Sequence, residues 1–366
     1  MSIFISAVEV GSVRGLIPVC HEFIRSGYSV LIERRGYFAE EEIDELAPFY
    51  IDHSLDTDED LRLFLENNCI KVLLFSVNVS ECRPLRIARV AQAMGIYTVH
   101  LLDYWNGYKA RMELDGEAMF QPTSYLVPDE YARQQAASEG ILMDLIKVVG
   151  QPAFAKNGVV FRDACQQGNP FESRVKNGIQ VLLFVLEPVL NDQGSSVLEN
   201  SSYRGYTEKD VIQMLVSALK SVKRQFFVVV LPHPRQNVAE LEGMWHSSGG
   251  DFYGEIQSKV RGRDLLPFVQ GVVGMASTLL YEAWLVGKPV LSIQPGLRND
   301  SLRMLQGKSG VEFIDQYVNA EVNVGEWLSE LTAISFQQSK LRSELSEHEL
   351  APMRIVEEIS ELMGSI

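Results

Sequence analysis

Hydrophobic residues fall in short runs that alternate with segments of helical spacing. In the first half of the chain these runs are IFISAVEV, YSVLIE, KVLLFSV and IYTVHLLD. Between the first two runs, apolar residues recur at the spacing of one helix face from Leu16 to Ile24, and Gly27 follows at a position typical of a helix end. Strands that alternate with helices of this length are typical of βαβ units, so the pattern predicts a parallel sheet covered by helices.

The same alternation starts again in the second half. A polar, irregular segment from Phe161 to Gly178 has the composition of a linker, and it is followed by the runs IQVLLFVLE, QFFVVVLPHP, LLPFVQGVVG and PVLSIQP. A length of 366 residues also favours two domains. We therefore predict an α/β protein with two doubly wound, Rossmann-like domains that face each other across a cleft. The expected ranges are 1–160 and 176–345, with a C-terminal helix over 346–366 that packs back on the first domain.

The composition excludes several classes of protein. A hydrophobic content of 46% with 22% charged residues is that of an ordinary folded protein. No apolar run reaches the roughly 18 residues that a membrane span needs, and the segment MSIFISAVEVGSVRG resembles a first strand more than a signal peptide. The net charge of −15 argues against non-specific binding to nucleic acid.

Cysteine usage points to a reducing compartment. The four cysteines are far apart and form no CxxC pair. This arrangement favours neither a disulfide framework nor a zinc site, and it suits reduced thiols. The sequence therefore predicts a cytoplasmic protein without a membrane span and without a bound metal.

Unusual polar residues concentrate where predicted strands end. These segments are Glu9–Gly15, Asp103–Arg111, Gly150–Pro152, Glu187–Asp192, His233–Arg235 and Met275–Glu282. Ligands of open parallel sheets bind outside the carboxyl ends of the strands. The clustering therefore predicts that the protein handles a small molecule.

The segment MASTLLYE carries the most informative of these groups. Ser277 or Thr278 is placed to cap a helix, whose free N–H groups would suit a phosphate. Glu282 comes one turn later, where a carboxylate could accept hydrogen bonds from ribose hydroxyls. The alternative is a capped helix with a solvated glutamate. Because apolar runs flank this helix, we expect Glu282 to be buried and to have a hydrogen-bonding partner.

This part of the chain resembles the nucleotide-binding motif of GT-B fold glycosyltransferases. The resemblance lies in the order of its features, which are a strand, Ser and Thr, LYEA, GKP and a second strand. Nucleotide-sugar 2-epimerases and polymer-forming transferases of that fold have similar segments. The resemblance extends to the two-domain layout and to the segments VPDEYARQQAASEGI and VVGQP. It implies that Ser277 and Thr278 hold the phosphates of a nucleotide donor and that Glu282 holds its ribose.

The segment LPHPRQN follows another apolar strand. A histidine and an arginine at a strand end can both donate hydrogen bonds to phosphate oxygens, and arginine can do so with two parallel bonds. Similar enzymes carry a His-Pro motif at this point. We expect His233 and Arg235 to bind donor phosphate, and the alternative is that His-Pro only shapes a turn.

The segment LLDYWNGYKAR ends a strand of the first domain. Aromatic rings beside polar side chains suit a sugar, so we expect Trp105, Asn106 and Arg111 to bind it. Asp103 is the expected general base for an acceptor hydroxyl. The alternative is that Asp103 caps a turn and Trp105 fills the core.

Four further positions belong to the predicted site. The segment EVGSVRG lacks the GxGxxG fingerprint of dinucleotide-binding enzymes, and the resemblance places Ser12 and Arg14 near the donor phosphate or the acceptor. Glu9 is the second candidate for the base. Glu187, after the first strand of the second domain, is expected to lie in the cleft.

Together with these residues, the resemblance implies a metal-independent glycosyltransferase of surface polysaccharide or glycoconjugate biosynthesis. Its donor would be a UDP- or CMP-linked sugar, with no other cofactor, and its acceptor a glycan, a lipid-linked sugar or a protein. One alternative is a nucleotide-sugar 2-epimerase or hydrolase on the same fold. The other is a non-catalytic nucleotide-binding scaffold.

Overall fold

The computed structural model describes residues 2–40, 43–51, 55–79, 81–114, 117–331 and 341–364. In these residues the chain forms two parallel sheets with helices on their faces, so the predicted α/β class is confirmed. The chain forms two compact units. The first unit consists of Met1–Lys156 with Ser346–Ile366, and the second of Asn157–Leu345.

The sheet of the first unit has seven strands in the order β3-β2-β1-β4-β5-β6-β7, all parallel. The strands are β1 Ser2–Ser6, β2 Ser29–Glu33, β3 Tyr50–Ile51, β4 Ile70–Phe75, β5 Tyr97–Leu101, β6 Ser124–Val127 and β7 Ile146–Val148. The order changes direction between β1 and β4. The carboxyl ends of these two strands therefore flank the switch point at which such sheets bind ligands.

The sheet of the second unit has six strands in the order β10-β9-β8-β11-β12-β13, again all parallel. The strands are β8 Gln180–Val185, β9 Phe226–Leu231, β10 Gly254–Ile256, β11 Gly271–Gly274, β12 Val290–Ile293 and β13 Val311–Ile314. Here the switch point lies between β8 and β11.

Most connections between the strands contain a helix, since parallel neighbours need a long crossover connection. The helices are α1 Val10–Arg25, α2 Tyr37–Glu40, α3 Asp58–Asn67, α4 Arg83–Ala93, α5 Glu130–Ser138, α6 Asn157–Cys165, α7 Glu172–Lys176, α8 Val189–Gln193, α9 Glu208–Ser221, α10 Val238–Ser247, α11 Gly262–Leu265, α12 Thr278–Leu285, α13 Ala320–Glu330, α14 Glu344–Glu349 and α15 Ala351–Gly364. In the described part of the chain, no helix combines the length and the apolar character that a membrane crossing needs.

The last helix belongs to the core of the first unit. Ile355 and Ile359 of α15 are fully buried with Leu16 and Phe23 of α1. Glu358 also accepts a hydrogen bond from Ser124 at 3.0 Å. Burial of side chains of this size stabilises the fold by about 1.5–3 kcal/mol each, so α15 is an integral part of the first unit.

The segment from Phe161 to Gly178 differs from the irregular linker that its polarity predicts. It contains the end of α6 and all of α7, and the second unit begins at Asn157. The helical face of α6 is short, because Phe161 and Ala164 are its buried apolar residues. Two such positions are too few to produce a visible period in the sequence. Within the predicted range 176–345, residues 332–340 lie outside the described part of the chain.

Candidate functional site

The carboxyl ends of four neighbouring strands of the second sheet lie at one level. Leu231 of β9 pairs with Val185 of β8, Val185 pairs with Gly274 of β11, and Gly274 pairs with Ser292 of β12. Neighbouring strands are about 4.8 Å apart, so residues two positions further on come close together along this edge. These residues are His233, Glu187, Ala276 and Gln294. They surround the switch point between β8 and β11, which makes this edge the candidate site of the second unit.

Glu187 connects three loops of this edge. Its Oε2 accepts a hydrogen bond from the Ala276 N–H at 2.6 Å, and its Oε1 accepts one from Arg204 Nη1 at 3.0 Å. Both side chains are mostly buried, with exposed fractions of 13% for Glu187 and 11% for Arg204. Glu187 therefore fixes the backbone that leads into α12, and its role in the geometry is to position the start of that helix.

The start of α12 presents unpaired backbone donors. The Ser277 Oγ accepts a hydrogen bond from the Leu279 N–H at 3.3 Å, as expected of a capping residue. The N–H groups of Ser277 and Thr278 donate to none of the described residues. A Cβ on Gly274 would lie 2.7 Å from the Val185 carbonyl oxygen, so only glycine allows the end of β11 to lie this close to β8 just before the helix. Unpaired donors at a helix N-terminus suit an anion.

Glu282 lies one turn further along α12 and is 3% exposed. Its Oε1 accepts a hydrogen bond from Arg263 Nη2 at 2.9 Å, its Oε2 accepts one from Asn157 Nδ2 at 3.2 Å, and Arg263 Nε also contacts Oε2. The prediction of a buried carboxylate with a polar partner is confirmed, and the alternative of a solvated glutamate is wrong. A small cleft beside the carboxylate is lined by Phe161, Leu266 and Val286.

His233 is a half-buried hydrogen-bond donor. Its Nδ1 accepts a hydrogen bond from the Arg235 N–H at 3.2 Å, which leaves the proton of the neutral ring on Nε2. Burial lowers the pKa of His233, and the charge of Arg235 lowers it further while Glu187 and Asp192 oppose the effect. The ring is therefore neutral near pH 7 and offers one N–H to a ligand.

Arg235 is already engaged by a carboxylate. Its Nη1 and Nη2 donate to Asp192 Oδ1 and Oδ2 at 2.8 and 2.7 Å. The guanidinium is 65% exposed and Asp192 is 30% exposed. Such a two-bond pair satisfies one edge of the guanidinium and compensates its charge. Phosphate binding by Arg235 would have to compete with Asp192.

The predicted residues of the first unit form a closed network. Asp103 accepts hydrogen bonds from Arg111 Nη1 at 2.6 Å and from Ser12 Oγ at 2.9 Å. Arg111 also donates to the carbonyl oxygens of Val77 at 2.6 Å and Asn106 at 3.0 Å. The side chains of Arg111 and Asp103 are 5% and 9% exposed. Because its donors are directed inward, Arg111 holds this loop together instead of binding a sugar as the sequence predicts.

Trp105 fills the core, so the expectation that its ring covers a sugar is wrong. The side chain is fully buried, its Nε1 donates to Asp129 Oδ2 at 3.0 Å, and the ring stacks on Phe154. Asn106, the next residue of the segment, is half-exposed. In the sequence a tryptophan next to polar residues is equally compatible with a binding surface and with the core, and burial decides between the two.

Glu9 and Arg14 differ from Asp103 in being open to solvent. Glu9 precedes α1 and is half-exposed, and its carboxylate accepts no hydrogen bond from the described residues. Arg14 is exposed, with its guanidinium 5.6 Å from the centre of the Tyr37 ring. A Cβ on Gly11 would lie 3.0 Å from Asp103 Oδ2, so a small residue is required where this turn meets Asp103.

Several residues of the site are absent from the sequence prediction. Asn157 and Arg263 lie 125 and 19 positions from Glu282, and neither belongs to a recognisable motif. Arg204 reaches Glu187 from a loop 17 positions away. The sequence indicates such residues only through the general requirement that a buried carboxylate has hydrogen-bonding partners. Within the described ranges, no group of three or more His, Cys, Asp or Glu side chains is arranged to hold a metal ion.

Comparison with known proteins finds matches among solved structures. No protein-family model matches the chain, and no curated protein matches it in sequence. Solved structures match over nearly the whole chain. The UDP-GlcNAc 2-epimerase of Neisseria meningitidis, bound to UDP-GlcNAc, has a TM-score of 0.64 at 13% identity, covering 99% of this chain and 100% of its own.

Two further structures are similar to the same extent. A glycosyltransferase from Rickettsia africae has a TM-score of 0.66 at 12% identity, with 99% of this chain and 98% of its own covered. The HepE protein of Anabaena, in complex with UDP and glucose, has a TM-score of 0.62 at 10% identity, with 100% and 99% covered. At these identities the likeness shows the fold, which is of the GT-B type expected from the sequence.

Proposed function

We propose that this protein is a glycosyltransferase that moves a sugar from a nucleotide-activated donor to an acceptor hydroxyl. The proposed setting is the assembly of a surface polysaccharide or a glycoconjugate. The observation that carries the proposal is the set of groups at one edge of the second sheet. The N–H groups of Ser277 and Thr278 lie next to the row that contains His233, and Glu282 follows one turn later.

The donor phosphates would bind at the start of α12. Backbone N–H groups and the positive end of the helix dipole favour negative charge at this point. His233 would add one hydrogen bond from Nε2, and its neutral state means that it contributes a donor and not a charge. Helix α12 has eight residues, enough for its N-terminus to carry a useful dipole.

Glu282 would bind the ribose. Both carboxylate oxygens of Glu282 are in contact with Arg263, and one of them also accepts a hydrogen bond from Asn157. Ribose hydroxyls can donate to the same lone pairs, and they would bind by displacing Arg263. The Arg263 side chain is 36% exposed, so it has room to move.

Glu9 is the better candidate for the general base. Asp103 accepts hydrogen bonds on both oxygens, from Arg111 and Ser12, whereas the carboxylate of Glu9 accepts none from the described residues. A base must have a free lone pair within reach of the proton that it removes. In the proposed step the acceptor O–H loses its proton to Glu9, the acceptor oxygen bonds to the anomeric carbon, and the bond from that carbon to the phosphate oxygen breaks. The electron pair leaves with the phosphate.

A screen of nucleotide sugars by thermal shift tests the proposal, because a ligand that binds only the folded state raises the melting temperature. UDP- and CMP-linked sugars are the first probes, with EDTA present. We expect at least one nucleotide sugar to raise the melting temperature. With that nucleotide sugar, we expect free nucleotide to be released only when an acceptor is added. Glu9→Gln should lower this release by at least about a hundredfold, while Glu22→Gln, on the opposite end of α1, should leave it unchanged.

A nucleotide-sugar 2-epimerase is the second candidate function. It is favoured by the whole-chain likeness to the Neisseria enzyme. An epimerase would convert its substrate with no acceptor, and NMR of the sugar ring would show a new C2 configuration. Conversion of this kind would replace the transferase proposal. Nucleotide binding without any turnover would instead favour the scaffold function.

A further inference from the structure

Charge pairing distinguishes one arginine in the three loops that follow β8, β9 and β12. The loops that follow β8, β9 and β12 contain four arginines: Arg204, Arg235, Arg298 and Arg303. Arg204 pairs with Glu187, Arg235 with Asp192, and Arg303 with Asp315. Arg298 is exposed, and its guanidinium has no carboxylate partner among the described residues. In a chain with a net charge of −15, an arginine without a carboxylate partner in one of these loops is a candidate for binding an anion.

The backbone of Arg298 is tied to the start of α12. The Arg298 N–H donates to the Arg204 carbonyl oxygen at 2.9 Å. Arg204 in turn donates to Glu187, and Glu187 accepts from the Ala276 N–H. A Cβ on Gly205 would lie 1.9 Å from the Gly296 carbonyl oxygen, so the two loops pack backbone against backbone. The position of Arg298 is therefore fixed by the network that also fixes the helix start.

The other cationic candidates are less suited to a phosphate. Arg235 is bonded to Asp192 through two nitrogens. Burial lowers the pKa of His233, so its ring is neutral near pH 7. A diphosphate that leaves during glycosyl transfer gains negative charge, and preorganised cations stabilise that charge. The groups already assigned supply hydrogen bonds, but no unpaired positive charge.

We propose that Arg298 binds the diphosphate of the nucleotide donor and stabilises its charge as the sugar leaves. The inference rests on the proposed function, since it assigns a residue to the phosphate subsite of that donor. Arg204 and Glu187 act as positioning residues that hold the loop of Arg298 against the helix start. Arg298 supplies the charge, and the N–H groups of Ser277 and Thr278 supply directed hydrogen bonds.

Calorimetry with UDP, UMP and uridine tests this assignment in the absence of metal, with CDP, CMP and cytidine as a second series. The variants are Arg298→Ala, Arg298→Lys, Arg261→Ala and Arg162→Ala. Arg261 is an exposed arginine next to α11 on the same edge, and Arg162 is an exposed arginine of α6. Circular dichroism establishes that each variant is folded. A charge-assisted bond of this kind corresponds to about a tenfold or larger change in affinity.

We expect Arg298→Ala to weaken the binding of UDP by about tenfold or more, that of UMP by less, and that of uridine by less than about twofold. Arg298→Lys should retain part of the affinity, and Arg162→Ala should match the wild type. The assignment is overturned if Arg298→Ala behaves like Arg162→Ala, if it weakens uridine as much as UDP, or if Arg261→Ala shows the phosphate-dependent loss instead. In each of these results wild-type binding of UDP or CMP still supports the proposed function. A wild-type protein that binds no nucleotide of either series contradicts both.

Discussion

The carboxyl edges of the two sheets carry similar residue types, but they use them differently. At the first edge, Arg111 and Ser12 both donate hydrogen bonds to Asp103, and the three side chains are nearly inaccessible. At the second edge, the N–H groups of Ser277 and Thr278 have no partner in the described part of the chain, and the Nε2–H of His233 is left for a ligand. A polar network that satisfies itself stabilises a loop, whereas polar groups left unsatisfied at a switch point are available for binding. The closed network therefore has a structural role, and the open groups of the second edge support the proposal that a nucleotide binds there.

The largest effect is expected from breaking the closed network. Arg111→Ala would leave Asp103 buried without its cation, and loss of one partner of a buried pair costs about 3–5 kcal/mol. Urea denaturation should show this loss in the free energy of unfolding. Arg86→Ala, at an exposed position of α4, is the matched control and should stay within about 0.5 kcal/mol of the wild type. A stable Arg111→Ala protein with altered catalysis would contradict the structural role.

A smaller loss of stability, together with a loss of binding, is expected at the second edge. Glu282→Ala leaves Asn157 and Arg263 without their acceptor and should cost about 1–3 kcal/mol. Its distinguishing effect is on nucleotide affinity, which should fall by about tenfold or more if the carboxylate binds ribose. The 2′,3′-dideoxy nucleotide should bind both proteins equally. Unequal binding of that probe would show that Glu282 acts only through the fold.

The pH dependence of stability tests whether His100 of the first unit stays uncharged in the folded protein. His100 is fully buried next to Phe75 and Tyr125, and burial together with the charge of Arg111 places its pKa well below the ordinary value. The unfolded chain takes up a proton on this ring near pH 6.5, while the folded protein does not until the pH is much lower. The free energy of unfolding should therefore fall as the pH drops below about 6.5, by up to about 1.4 kcal/mol per pH unit from this group.

The His100→Phe variant isolates this contribution. Urea denaturation at pH 7.5, 6.5 and 5.5 should give a shallower decline for the variant than for the wild type. Equal slopes would mean that His100 gains its proton in the folded state as easily as in the unfolded chain, which its burial forbids.

The smallest effect is expected from a change at Trp105. It tests whether this side chain belongs to the core or to a binding surface. Trp105→Phe keeps an aromatic ring in the core and loses the hydrogen bond to Asp129, so it should cost about 1–2 kcal/mol of stability. Because the side chain is fully buried, turnover and nucleotide affinity should change by less than about twofold at temperatures where the variant is folded. A selective rise in the KM of an acceptor would place the ring at a surface.

More of the fold than of the candidate site could be predicted from the sequence. Strands such as QFFVVV and the helical face from Leu16 to Ile24 produce strong periods, and parallel pairing follows from their alternation. The burial of Glu282 also followed from its apolar neighbours. Its partners did not, because a partner 125 positions away is chosen by the packing of α6 and leaves no local pattern. Trp105 and Arg111 were misassigned for the related reason that residue type alone does not reveal which way a side chain points.

The most direct test of the central claim is calorimetric titration of UDP and CMP into the wild-type protein and into His233→Ala, with EDTA present. We expect a dissociation constant in the micromolar to low millimolar range for one nucleotide. We expect His233→Ala to lose about tenfold in affinity without a change in the melting temperature of the free protein. Absence of binding by the wild type at several millimolar of each nucleotide, or unchanged affinity in His233→Ala, would contradict the assignment of the second edge as the nucleotide site.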